Sequence, residues 1–151
     1  MTEILNETIR LLPGQEKTNV IVPFALHKKY EALFLHCAYS PKTVADEALC
    51  QRLISRAITE QVPQKERAGL DWRYYLPLKN LVTPSLDYEE SYIGCAHRQD
   101  DDMFLTVSAN GSSPGFLAHP VGAGRWRVVL NLHAVMVPVT YRLTVTAKEA
   151  K

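Results

Sequence analysis

The sequence predicts an all-β protein: an antiparallel β-sandwich with a jelly-roll-like arrangement of strands and one inserted amphipathic helix near residues 44–59. Three observations support this prediction. Apolar and polar residues alternate in the last forty residues, which is the spacing of half-buried strands. Several shorter runs have strand character and are separated by Gly, Pro and Asp turns. A single segment shows helical periodicity instead.

Length and charge restrict the possible classes of protein. A chain of 151 residues with 46% hydrophobic content can bury one good core, so we expect one domain over residues 1–151. The net charge of +1 offers no electrostatic footprint for nucleic acid or an anionic membrane. No apolar run approaches the ~18 residues that a membrane helix needs. We therefore expect neither nucleic-acid nor membrane partners.

The compartment is predicted from the cysteines and the N-terminus. Cys37, Cys50 and Cys95 are odd in number and lack CxxC spacing, as expected of free thiols in a reducing compartment. The first ten residues carry charges and no apolar segment, so they do not resemble a signal peptide. No P-loop or dinucleotide fingerprint is present. These features predict a cytoplasmic protein without a cofactor.

Two strands are predicted before the helix. Residues 18–24 alternate, with apolar side chains on one face. Residues 30–39 are apolar on both faces, which is typical of a central strand covered on both sides. His36 lies within this second run, and we expect it to be a core histidine with satisfied hydrogen bonds.

The helix is predicted from apolar residues that recur every three to four positions through residues 44–59. Thr43 is the predicted N-cap, and Pro63 is the predicted stop signal. We expect the helix to pack against one sheet or to close one end of the sandwich. An aromatic cluster at residues 72–75 is predicted to cover the helix or an open edge.

The remaining strands follow the helix. Residues 78–86, 91–97 and 103–108 are predicted strands, and residues 116–119 are a weak short one. Two long alternating runs then follow, residues 125–136 and 139–147. Pro138 between them cannot donate to a strand ladder, which suits a connection. We predict that the two runs pair as an antiparallel hairpin.

Three segments carry a family resemblance. They are KNLVTPSLD at residues 79–87, GCAHR at residues 94–98, and Ser-Pro-Gly-Phe followed by Gly-x-Trp at residues 113–126. Residues 19–147 resemble a family of small bacterial and archaeal β-sandwich domains. This family is similar to the accessory domain that precedes the catalytic domain of some polymerase-and-histidinol-phosphatase-type metallohydrolases.

The resemblance implies a fold rather than a reaction. Its motifs are structural: Pro114 and Gly115 suit a type II turn, and Trp126 suits a core position. None of the five histidines forms the His-x-His pair that such hydrolases use for metals, and no hydrolase domain follows Lys151. Hydrolase activity is therefore not implied, and the expected role is accessory to a separately encoded hydrolase.

The candidate ligand-binding residues are His97, Arg98, Asn131 and His133. They converge if the strands at residues 91–97 and 125–135 face one another, and Cys95 then shares a face with His97. This pattern predicts a polar pocket. Two alternatives remain open: a metal site formed by Cys95, His97 and His133, or a buried network in which the histidines bind backbone carbonyls and Arg98 pairs with a carboxylate.

Other candidate chemistry is weak. Asp100, Asp101 and Asp102 lack the alternating spacing of a calcium loop and are predicted to form a solvated turn. No serine has the context of a nucleophile elbow. Cys95 beside His97 resembles a nucleophile and base only loosely, because no third group orients the imidazole.

Two classes of function follow. The first is a non-catalytic module that binds a small molecule, a sugar, a partner protein or a second copy of itself through an uncovered sheet edge. Aromatic and basic residues could supply a surface for a sugar or a protein: Trp72, Tyr74, Tyr75, Arg125 and Arg127. The alternative is a small metal-binding protein or hydrolase with a site at Cys95, His97 and His133, to which Asn131 would contribute.

Overall fold

Eight β-strands and one α-helix form the molecule, for which the computed structural model describes residues 1–151. In chain order they are β1 (Thr2–Leu11), β2 (Asn19–Leu26), β3 (Ala32–Ser40), α1 (Glu47–Gln61), β4 (Leu81–Tyr88), β5 (Ser91–Cys95), β6 (Asp102–Ser108), β7 (Gly124–Ala134) and β8 (Val139–Lys148). Two short 3-10 helices, Gln64–Glu66 and Trp72–Tyr75, lie between α1 and β4. No helix is long and apolar enough to cross a membrane.

The strands form two four-stranded antiparallel sheets. One has the order β1-β8-β3-β6, and the other has the order β2-β7-β4-β5. Only β4 and β5 are consecutive strands within one sheet, so almost every connection crosses from one sheet to the other. The predicted antiparallel sandwich with one inserted helix is confirmed.

The core lies between the inner faces of the two sheets. The predicted alternation of β7 and β8 is confirmed there, because Trp126, Val128 and Leu130 on β7 and Tyr141 and Leu143 on β8 are completely buried. The indole N–H of Trp126 donates to the Gly122 carbonyl at 3.1 Å, so its burial leaves no unsatisfied donor.

The predicted pairing of the last two strands is wrong. β7 pairs with β2 and β4, whereas β8 pairs with β1 and β3 in the opposite sheet. The connection at residues 135–138 therefore crosses the sandwich. Alternation reports which face of a strand is buried, and two strands that bury the same core from opposite sides have the same pattern as a hairpin.

The first strand was not predicted. β1 pairs with β8 along its whole length, from Thr2 opposite Ala147 to Leu11 opposite Val139. A bulge between Glu3 and Leu5 interrupts its register, and the inward-facing Glu7 is exposed. The bulge and the edge position break the apolar alternation on which sequence reasoning depends.

The helix begins later than predicted. Asp46, not Thr43, is the N-cap, because its carboxylate accepts a hydrogen bond from the Leu49 N–H at 3.1 Å. The helix ends at Gln61, two residues before Pro63. Its buried face forms a small separate core with Val44, the 3-10 helix that contains Trp72, and the β7–β8 connection. It therefore packs against connecting segments rather than against the face of a sheet.

Two predictions about exposure fail. His36 is not a core residue, because it lies on the outer face of β3 with 40% of its side chain exposed, stacked on Phe104 and bonded to Asp102 at 2.7 Å. β3 is a central strand, but only its inner face is fully covered. In the aromatic cluster, Trp72 packs against the helix, whereas the side chains of Tyr74 and Tyr75 are exposed.

The Ser-Pro-Gly-Phe segment joins the edges of the two sheets. Ser113 N–H donates to the Thr106 carbonyl of β6 at 2.9 Å, and Cys95 N–H of β5 donates to the Gly115 carbonyl at 3.1 Å. Phe116 forms only an isolated bridge with Gly94, so the predicted strand at residues 116–119 is absent. Gly115 has the predicted positive φ of 93°.

The crossing of this segment over β5 requires two glycines. A Cβ on Gly94 would collide with the carbonyl oxygen of Gly115, and a Cβ on Gly115 would collide with that of Cys95. Both residues also have positive φ. The two backbones therefore approach more closely than any other residue type would allow.

Candidate functional site

Polar side chains gather at one end of the outer face of the β2-β7-β4-β5 sheet. β4 places Val82 and Leu86 in the core, so Thr83 and Ser85 between them face outwards. Strand register sets Asn131 of β7 opposite Thr83, and Cys95 of β5 opposite Ser85. Three adjacent strands thus contribute polar groups to one surface.

These residues line a pocket of about 270 Å³, which we call the Thr83 pocket. His133 follows Asn131 by two positions on β7, and His97 follows Cys95 by two positions just after β5. The turn before β2 adds Lys17 and Thr18, β2 adds its first residue, Asn19, and Tyr92 of β5 completes the wall. The pocket is therefore built by four strands and one turn.

The structure brings most of the predicted site residues together. His97, Asn131 and His133 all line the pocket, as does Cys95. Their strands do not face one another across the sandwich; instead, β5 and β7 flank β4 and present these side chains on one common face. Arg98 does not line the pocket, and its Nε lies 3.7 Å from an Asp100 carboxylate oxygen at the surface.

Thr83 contacts several of the other polar side chains in the pocket, and the sequence did not reveal it as a site residue. Its side chain is almost fully buried, and its Oγ1 lies 2.9 Å from Nε2 of His133. The Asn131 amide donates to the Thr83 carbonyl at 2.9 Å and approaches Oγ1 at 3.5 Å. One threonine therefore fixes the orientation of two neighbouring polar side chains.

Cys95 forms the inner wall of the pocket. Its Sγ lies 3.9 Å from Nδ1 of His97, 3.7 Å from the Asn131 amide nitrogen and 3.9 Å from Thr83 Oγ1. Burial raises the pKa of the Cys95 thiol, and the hydrogen bond with Thr83 opposes that rise only in part. A raised pKa reduces the thiolate fraction at neutral pH, which disfavours nucleophilic chemistry.

The alternative of a metal site finds no support in the geometry. No group of three or more His, Cys, Asp or Glu side chains is arranged to hold a metal ion. His133 is directed at Thr83, whereas Cys95 is in contact with His97 and Asn131. The three suggested ligands therefore do not share a coordination centre.

The buried-network alternative is only partly realised. Thr83 is buried and bonded as such a network requires, but His97 and His133 are exposed to solvent. Neither imidazole binds a backbone carbonyl, and the hydrogen-bond partner of His97 is the Cys95 thiol. The histidines therefore line an open pocket and are not sealed in the core.

Lys17 is a further pocket residue that the sequence did not reveal. It is a non-glycine residue with a positive φ of 63°. Two backbone hydrogen bonds hold the turn against β7: Lys17 N–H to the Leu132 carbonyl at 2.8 Å, and Leu132 N–H to the Thr18 carbonyl at 3.1 Å. The turn therefore anchors a lysine at the pocket rim at a backbone position that usually favours glycine.

The opposite end of the same face is charged and internally paired. Arg127 lies 3.5 Å from a carboxylate oxygen of Asp87 and donates to the Glu89 carbonyl at 3.0 Å. The Arg125 guanidinium lies 3.5 Å from the Glu89 carboxylate. These groups border a separate depression that does not include Tyr75, so the residues suggested for a sugar or protein surface do not form one surface.

Comparison with known proteins does not identify a relative. No family model, no curated protein and no solved structure matches the chain. Nothing links it to the accessory domain of the polymerase-and-histidinol-phosphatase-type metallohydrolases. A role beside a separately encoded hydrolase therefore stays a prediction, and the functional argument rests on the geometry of the site.

Proposed function

We propose that this protein is a binding module and that the Thr83 pocket is its ligand site. The observation that carries the proposal is the fixed arrangement of polar groups around Thr83. Asn131 and His133 are oriented by hydrogen bonds before any ligand arrives. Small-molecule sites are concave, largely preformed and equipped with a few convergent polar groups, as this pocket is.

A binding role is favoured over nucleophilic catalysis by the state of the pocket thiol. The raised pKa of Cys95 keeps it protonated at neutral pH. No carboxylate or amide hydrogen-bonds to the His97 imidazole, so the third member of a catalytic triad is missing. The polar groups around Cys95 are arranged to contact a ligand rather than to activate sulfur.

The strand order supports the jelly-roll assignment that the sequence suggested. Eight strands form two sheets, and all but one connection between consecutive strands passes from one sheet to the other. Jelly rolls include lectin domains, which are binding modules without catalysis. This support is analogy at the level of fold, and the site carries the specific argument.

Homo-oligomerisation through a sheet edge receives less support. The segment at residues 109–119 covers the outer edges of both β5 and β6. Pro23 removes a backbone donor from β2, and β1 carries a bulge and the inward-facing Glu7. All of these features discourage edge pairing. Light scattering of the purified protein measures the oligomeric state directly.

The cytoplasmic assignment rests on the cysteines. All three thiols are free and buried in the fold. Proteins that keep several free thiols are typical of reducing compartments. This supports the cytoplasm as the site of action.

The proposal is tested by screening small polar fragments with isotope-labelled protein. The set contains neutral, anionic and cationic compounds, and backbone amide shifts are followed by NMR. We expect at least one class to give saturable shifts at Asn19, Cys95 and Leu132, which surround the pocket. If fragments of every class bind only elsewhere or not at all, the proposal is overturned.

A matched pair of variants controls this screen. Thr83→Val removes the hydroxyl that orients His133 and approaches Asn131, so it should weaken binding at the pocket. Thr144→Val removes a hydroxyl from the outer part of β8, far from the pocket in the opposite sheet, and should leave binding unchanged. Equal effects of the two substitutions would count against the site.

A further inference from the structure

The wall of the Thr83 pocket has one sign of charge. Lys17 supplies a basic side chain, whereas no Asp or Glu lines the pocket. Asp87, which lies on the same sheet face, is paired with Arg127. A cleft lined by one sign of charge concentrates ligands of the opposite sign.

The charge of Lys17 is not neutralised within the protein. Eight ion pairs connect other residues, and none includes Lys17. Its side chain also takes part in no hydrogen bond with another residue. Lys17 is therefore free to receive a negatively charged group at the pocket rim.

Lys17 also occupies an unusual backbone position. A residue with positive φ is strained unless it is glycine, and strained residues cluster at ligand sites. The turn tolerates a lysine because two hydrogen bonds to Leu132 hold it in place. Glycine would adopt this backbone conformation with less strain. A lysine at this position is therefore expected when its side chain has a functional role.

Hydrogen-bond donors accompany this charge. The amide of Asn19 and the hydroxyl of Tyr92 line the pocket and bind no other residue. By contrast, the Asn131 amide and the Ser85 hydroxyl are occupied by Thr83 and the Val129 carbonyl. The unoccupied groups therefore include a cation and two donors, which suit the oxygens of an anion.

We propose that the Thr83 pocket binds an anionic group, a carboxylate or a phosphate, with Lys17 as its main charged contact. This inference rests on the proposed binding function and adds the chemical class of the ligand. The volume of about 270 Å³ is small, so the ligand is a small metabolite or the anionic head of a larger one.

The test is an NMR titration with inorganic phosphate, acetate and glucose at constant ionic strength. We expect phosphate or acetate to shift the amides of Asn19 and Leu132 saturably and glucose to leave them unchanged. A response to phosphate alone assigns a phosphate group, and a response to acetate alone assigns a carboxylate. Lack of any saturable response to both anions overturns the inference.

Variants of Lys17 sharpen the titration. Lys17→Met should weaken anion binding roughly tenfold, since a charge-assisted hydrogen bond is lost. Lys65→Met is the matched control, because Lys65 is exposed, outside the pocket and in no ion pair, and it should change nothing. Unaltered binding by Lys17→Met would also contradict the inference.

Failure of this inference differs from failure of the proposed function. If glucose or another neutral fragment binds at the pocket while the anions do not, the pocket is a binding site and the assigned ligand class is wrong. If no compound of any charge perturbs the pocket, both the binding function and the anion inference are wrong.

Discussion

The two ends of the β2-β7-β4-β5 outer face differ in how their charges are satisfied. At one end Arg125 and Arg127 are paired with Glu89 and Asp87, so the protein supplies its own counter-charges. At the Thr83 end, Lys17 has no partner, and polar side chains surround an open pocket. The charges at one end of the sheet face are therefore paired within the protein, whereas the lysine at the other end is unpaired. A ligand is expected at the end with the unpaired lysine.

The comparison also shows how a site is built on a rigid sheet. Both ends use side chains that alternate with the same buried core residues of β4 and β7. The crossing segment supports the strand that carries Cys95, because its Gly115 carbonyl accepts the Cys95 N–H. Rigid backbone on several sides allows polar groups to be preorganised for a ligand.

The largest expected effect comes from disrupting the contact between β5 and the crossing segment. In Gly94→Ala the added Cβ collides with the Gly115 carbonyl oxygen, and alanine disfavours the positive φ of this position. The substitution would therefore force β5 away from the crossing segment. We expect a loss of about 2–4 kcal/mol in the free energy of unfolding, measured by urea denaturation.

Gly69→Ala is the control for this substitution. Gly69 also has positive φ, but an added Cβ meets nothing within 4 Å. It should therefore cost only about 1 kcal/mol, which is the backbone part of the effect. Equal losses in the two variants would show that the close crossing of the two backbones does not matter.

The next largest loss of stability is expected from a substitution of Thr83. Thr83→Val keeps the shape of the side chain but leaves His133 and Asn131 without their shared hydroxyl. We expect a loss of about 1–2 kcal/mol in the free energy of unfolding. At the charged end, Arg127→Met should lower the free energy of unfolding by a smaller amount. A larger loss for Arg127→Met than for Thr83→Val would contradict the expected difference between the two ends.

A third prediction compares the two non-glycine residues with positive φ, one at each end. Lys17→Gly relieves the backbone without removing an internal side-chain contact, so the free energy of unfolding should rise by up to about 1 kcal/mol while anion binding weakens. Glu89→Gly relieves a similar φ of 51° but removes the acceptor of the Arg125 N–H.

Thermal and urea unfolding of both variants give the result. Glu89→Gly should gain nothing or lose stability, because its carboxylate satisfies Arg125 twice. If both variants were stabilised to the same extent, the Glu89 side chain would contribute as little to the stability of the fold as the Lys17 side chain.

The smallest effect is expected from the ion pair at the charged end. Arg127→Met removes a pair with Asp87 that is partly open to solvent, where such pairs contribute about 1 kcal/mol or less, and also a hydrogen bond to the Glu89 carbonyl. The contribution of the ion pair should decline further at high salt. Urea denaturation at low and high salt measures both quantities, and a loss that does not depend on salt would point to the hydrogen bond or to packing instead of the ion pair.

The inner faces of the sandwich were predictable, and the partners of its strands were not. Period-two alternation identified Trp126, Val128 and Tyr141 as core residues because strand geometry alone dictates it. The pairing of β7 and β8 depends on which sheet each strand joins, and no local pattern encodes that choice. β1 was missed because its bulge disrupts the alternation.

The candidate site was predictable only for residues that share a strand face. His97, Asn131 and His133 could be placed together because each lies in a run predicted to be a strand, although His97 follows the end of β5 in the structure. Thr83 emerged only from the pairing of β4 with β7, and Lys17 only from the docking of a turn onto Leu132. Arg98 was adjacent in sequence to His97 but turns away to Asp100.

The difference between the two ends is tested most directly by crystal structures of the protein soaked separately in inorganic phosphate and in acetate. The account predicts density for at least one of the two anions in the Thr83 pocket, in contact with Lys17, and none beside the paired Arg125 and Arg127. Density at the arginines with an empty Thr83 pocket would contradict it.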